Sequence, residues 1–160
     1  MVKPEIDDRL FDINQYGVLK IPTVLILGLV IQIRHWILLL LVIASSLVGA
    51  SEASKQGMHA LSPIALFLEL PTLLLLISAS LRHPDGPNWA RFLWRNGANL
   101  MVVTSISGIA WLVYWLYQSD SWERWPELYF ASTCLMDAAI ALWSKTSTIT
   151  RSVFSEFPDK

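Results

Sequence analysis

Ile21 to Ala50 is a run of thirty mostly apolar residues interrupted near its middle by Gln32-Ile33-Arg34-His35-Trp36. A soluble core does not hold such a segment. As one helix it would be roughly 45 Å long, more than the roughly 30 Å hydrocarbon core of a bilayer, so a single tilted span with an overhang accommodates it. Two shorter segments broken at Arg34-His35 are the alternative. Neither half reaches the roughly 17 residues a span needs, and no Pro or Gly marks a break. The reading is therefore one helix with polar residues buried inside it. An arginine at that depth is costly and normally faces protein or water with a partner, which the rest of the chain has to supply.

With 54% hydrophobic and only 16% charged residues among 160, the chain is too apolar for an ordinary globular domain, where about a quarter of residues are charged. It reads as an all-α membrane protein. A net charge of −1 with no basic stripe or binding motif sets nucleic acid aside as a partner. The single cysteine, Cys134, excludes an intrachain disulfide and a cysteine-based metal site, and reads as a small filler within an apolar segment. Glu5, Asp7, Asp8 and Asp12 in the first twenty residues argue against a cleavable signal peptide.

In chain order, residues 1–20 form a polar cytoplasmic tail with a turn at Tyr16-Gly17. Four spans follow at about 21–50, 61–81, 99–118 and 128–144, making a transmembrane domain over 21–144. Pro71 is expected to bend the second. Between the second and third lies a cytoplasmic interfacial loop, 82–98. Turn formers Arg82 to Pro87 lead there into a short amphipathic helix, Asn88 to Asn96, with Trp89, Phe92 and Trp94 at the interface and Arg91 and Arg95 toward headgroups. An acidic hairpin loop, Asp120 to Glu127, carries Trp122 and Trp125 to the opposite interface. Residues 145–160 read as a polar cytoplasmic tail.

Nine Lys and Arg residues fall on one side of these spans (Lys3, Arg9, Lys20, Arg82, Arg91, Arg95, Lys145, Arg151, Lys160) and two on the other (Lys55, Arg124). Positive loops stay inside, so both termini are placed in the cytoplasm and the four helices form an antiparallel bundle.

Each span has a polar or small-residue side. Glu69 and Asp137 lie roughly 12 to 14 Å from the outer ends of their helices, at about the depth of Arg34. The expected partner of Arg34 is Glu69, Asp137 or both, with Gln32 and His35 completing a buried polar cluster. Its functional reading is a proton- or ion-responsive site; the plainer reading is a satisfied polar clamp that fixes helix order, and a third is contact with a partner subunit. The clamp is preferred. Ser45 with Gly49, and Thr104 with Gly108, have small-xxx-small spacing and read as close helix packing.

Enzyme signatures are missing. No zinc-protease motif, nucleophile elbow or phosphate loop occurs, and His35, His59 and His83 lie in different segments, unlike a metal triad. A hydrolase built on Asp137 and Glu69 lacks any second element. No metal and no cofactor is expected.

Tyr16-Gly17-Val18-Leu19-Lys20-Ile21-Pro22, then Arg34-His35-Trp36 before a Leu-rich run, and finally Val153-Phe154-Ser155-Glu156-Phe157-Pro158 resemble the YfeZ-like family of bacterial inner-membrane proteins, a domain of unknown function. The resemblance covers nearly the whole chain. It implies a small multi-pass protein of the inner membrane and brings no activity, ligand or catalytic residue. The function expected is a non-catalytic accessory or interaction subunit, in contact with lipid and with itself or another membrane protein. An oligomeric proton- or ion-coupled transporter or channel is the rival.

Overall fold

The structure, a computed structural model, describes residues 13, 16–49, 62–118 and 124–158, with the backbone alone for 124–131. Among these, seven helices form: α1 (Thr23–Gln32), α2 (Arg34–Leu47), α3 (Pro63–Ser80), α4 (Asn88–Arg95), α5 (Gly97–Gln118), α6 (Arg124–Thr146) and α7 (Thr148–Ser155). One isolated antiparallel bridge, Ile13 to Leu19, closes the turn at Tyr16-Gly17, where Gly17 takes a positive φ of 74°.

The first span is not one helix. The chain breaks at Ile33 (φ −103°, ψ 24°), and α1 and α2 meet at a bend of 69°. No Pro or Gly causes it, and the reason lies in what receives the exposed backbone. His35 N–H, left without an intrahelical acceptor in the first turn of α2, donates to Glu69 Oε2 at 3.1 Å. The Arg34 guanidinium reaches back to the Ile31 carbonyl at 3.4 Å. Side-chain partners, one of them from α3, thus replace the helical bonds that the break forfeits.

Helices α3 and α5 are each long and apolar enough to cross a membrane, and the bent pair α1–α2 counts as a third if taken as one span. Helix α6 has 23 residues but is not in that group. Its start at Arg124 makes 124–127 helical, so that end of the expected acidic hairpin is shorter than the sequence suggests. Residues 119–123 and the loop 51–59 lie outside the described residues. Ser62 caps α3 by accepting from Ala65 N–H, with Pro63 in its first turn.

Helix α6 packs chiefly along α5, α5 on α3, and α3 on α1, α2 and α4. The apolar core sits at one end. Leu25, Leu29, Leu75, Met101 and Trp94 meet Leu19 from before α1 and Val153, Phe154 and Phe157 from α7 and just beyond. The expected polar tails are thereby corrected: the part of 145–160 from Thr148 to Ser155 is helical, and its apolar face is buried. Within 1–20, Leu19 is buried as well, while 1–12, 14 and 15 lie outside the described residues.

Arg82 ties this end together. Its guanidinium donates to the carbonyls of Leu19 (2.5 Å) and Glu156 (3.0 Å) and lies 5.1 Å from the Trp94 ring. Glu156 in turn accepts from Leu19 N–H at 2.9 Å. Burial pulls Arg82 below its ordinary value and the neighbouring Glu156 pushes it partly back; an arginine so placed stays charged.

Candidate functional site

Three layers run up the middle of the bundle from that closed end. The first is uncharged. Gln32, at the last turn of α1, is buried and donates to the Met101 carbonyl (2.8 Å) and Ser105 Oγ (2.6 Å) on α5. Thr72 Oγ1 on α3 lies 2.9 Å from Thr104 Oγ1 and 3.3 Å from Gln32 Oε1. The single hydroxyl proton serves one of these at a time. Three helices are joined with no formal charge.

The second layer holds two charge pairs. Arg34 grips Asp137 of α6 in a fork, Nη1 to Oδ1 and Nη2 to Oδ2, both at 3.1 Å. Bidentate geometry of this kind adds orientation as well as attraction. His35 Nδ1 lies 2.5 Å from Glu69 Oε1, while Glu69 Oε2 takes the His35 backbone N–H. Which atom holds the shared proton depends on the tautomer. Of the partners open to Arg34, the structure brings Asp137 to it and gives Glu69 to His35. A Cβ placed on Gly108 would lie 3.2 Å from Asp137 Oδ2 and 4.0 Å from Arg34 Nη2. Gly108 therefore makes room for the pair where α5 lies along α6.

The third layer is a cavity of about 580 Å³ between the halves of α2, α3, α5 and α6 that lie away from the apolar core. Its walls include Leu38, Leu41, Leu68, Trp111 and Trp115, and its floor is the paired set with Gln32, Thr104 and Thr133. Helix α6 touches α2 little, so the Arg34–Asp137 fork spans a gap that backbone packing does not close.

Other expected residues fall elsewhere. Trp94 is a correction: it is fully buried, donates from Nε1 to the Val153 carbonyl at 2.8 Å and packs edge-on against Phe154, because α7 covers the face of α4 that carries it. Trp89 and Phe92 on the other face are 46% and 68% exposed. Ser45 with Gly49 is also corrected. Ser45 Oγ turns back to the Val42 carbonyl, and Gly49, at φ 83° with no described residue near its missing Cβ, follows the end of α2 as the residue that a left-handed termination requires. Trp122 and the Trp125 side chain lie outside the described residues. Among the described residues, no group of three His, Cys, Asp or Glu is placed to hold a metal ion.

Sequence reasoning missed Ser105, Ile33 and Arg82. Ser105 and Arg82 were visible as polar residues within or at the end of a span; what was missing was the rotation of α5 and the docking of α7.

No curated protein and no solved structure matches the chain. The sequence pattern of one family, described as a protein of unknown function (DUF2919), matches residues 10–156, a stretch that takes in every paired residue above as well as the Leu19–Glu156 contact. Matched over all but the first nine and last four of its 160 residues, the chain belongs to that family.

Proposed function

We propose that this is a non-catalytic, multi-pass protein of the bacterial inner membrane. It crosses four times in an antiparallel bundle with both ends in the cytoplasm, and serves as an accessory or interaction subunit for another membrane protein or a second copy of itself. The observation that carries the non-catalytic reading is the closed pairing of the buried charges. Both oxygens of Asp137 accept from Arg34, and Glu69 takes the His35 backbone N–H on Oε2 and shares a proton with His35 Nδ1 through Oε1. A carboxylate engaged on both oxygens holds helices together and leaves no lone acid to act on a substrate. The membrane placement is supported by the apolar α3 and α5. The orientation is supported by Lys20, Arg82, Arg91, Arg95, Lys145 and Arg151, which belong to the connections at the end closed by α7.

A second reading, an oligomeric proton- or ion-coupled transporter, draws on one feature: the cavity reaches the floor that holds His35 and Glu69. Proton flux into liposomes under an imposed potential separates the two, comparing wild type with Asp137→Asn/Glu69→Gln. The clamp predicts no flux above empty liposomes from either protein. Flux that disappears in the double variant would make the paired set a conduction site.

A further inference from the structure

The walls and floor of the cavity differ in chemistry. The walls are Ile37, Leu38, Leu41 and Leu68 with the indoles of Trp111 and Trp115. At the floor, Arg34 and His35 side chains are 23% and 18% exposed, whereas Asp137 and Glu69 are only 3% and 7%. The carboxylates stand behind the two bases. What meets an entering molecule is thus a guanidinium edge and an imidazole. His35 Nδ1 is committed to Glu69, and Nε2 makes no bond to any described residue. About 580 Å³ is the size of a site for a small organic molecule, mostly apolar with a few convergent polar groups.

Charge selects among such molecules. Among the described residues, the ionisable groups facing His35 are Glu69 from α3, Arg34 from its own helix and Asp137 from α6, with Cys134 one turn before Asp137; α5 lines the cavity with Thr104, Gly108, Trp111, Leu112 and Trp115, none of them ionisable. With a neutral imidazole the floor has one positive and two negative charges. A permanent anion arriving alone would add to the surplus, whereas an acid that brings its own proton does not.

We propose that the cavity binds an aliphatic carboxylic acid. Its chain lies along Trp111, Trp115 and Leu38, and its head group meets Arg34 and His35 Nε2. On binding, the O–H bond of the acid breaks, the proton forms an N–H bond at Nε2, and the electron pair stays on the carboxylate. The products are a carboxylate beside Arg34 and an imidazolium held by Glu69, and the total charge is unchanged. The inference deepens the second reading above by naming a ligand, and it rests on membrane placement, whose failure shows separately as protein absent from the membrane fraction.

The test uses the full chain in lipid nanodiscs with ¹⁵N-labelled histidine and with His59→Gln and His83→Gln, so that His35 is the one reporter. Dodecanoate is the probe; dodecanol and dodecyltrimethylammonium are the comparators. The expected result is a saturable conversion of His35 to imidazolium with dodecanoate alone. In Trp115→Ala, whose fold is checked by an unchanged backbone amide spectrum, it moves to about tenfold higher concentration. No saturable change in folded protein overturns the proposal. So does an equal response to dodecanol, or a dodecanoate response unaltered in Trp115→Ala, which would report surface charge on the lipid alone.

Discussion

At Gly108 a hydrogen stands where another residue would place carbon 3.2 Å from Asp137 Oδ2. Helix α5 cannot yield there without parting from α6, its main neighbour. Gly108→Ala should therefore destabilise the protein by about 1–3 kcal/mol, as overpacking does, read as a lower melting temperature in detergent. Gly97→Ala should be worse, because its Cβ would fall inside the Phe154 ring contact. Unchanged melting in both would mean that α7 and the ion pair shift freely. For the pair itself, Arg34→Gln leaves Asp137 buried beside an uncharged group, at a cost of about 3 kcal/mol after allowing for the partial exposure of Arg34. Arg34→Leu with Asp137→Leu should recover most of that loss, since apolar pairs of similar volume often replace a buried ion pair without penalty. A double variant as unstable as the single would show that the charges themselves are needed. The four ionisable residues were legible because ionisable groups in apolar runs stand out. Their pairing was not, because depth along a helix gave Glu69 and Asp137 the same claim on Arg34.

Among the elements, the bend between α1 and α2 was the least legible. Composition contains no breaker at Ile33, and the break is stabilised from another helix, by a carboxylate 36 residues later that receives the first-turn amide of α2. Local sequence has no access to such a cause. Glu69→Leu removes the acceptor while keeping an apolar α3. The bend should then open, and the distance between spin labels at Val24 and Leu47 should lengthen toward the roughly 35 Å of a straight helix. An unchanged distance would assign the bend to packing alone. Helix α7 was hidden for a different reason. Its apolar residues Val153 and Phe154, with Phe157 beyond its end, are few and set among Ser, Thr and Arg, so they read as a tail until the Trp94 and Gly97 surface that receives them is known.

For the molecule as a whole, the orientation proposed from charge asymmetry is one that labelling tests directly. In a Cys134→Ser background, Lys55→Cys should react with a membrane-impermeant thiol reagent added outside intact inner-membrane vesicles of periplasmic-side-out orientation, and Arg95→Cys should not. The reverse pattern would invert the topology, and reaction of both would place one loop within reach through the protein. The all-helical class and the approximate reach of α3 and α5 were legible because helix length and apolarity are local properties. The closed end was not, since it is assembled from three separate stretches around Arg82. That arrangement has a consequence in time. Arg82 finds the Glu156 carbonyl only after 74 further residues have been made, several seconds of synthesis at about 5–20 residues per second. Until then a guanidinium destined for burial waits with part of its donors unanswered. A chain that stops before Val153 would leave this end open, with Trp94 and the surface at Gly97 lacking the α7 residues that cover them.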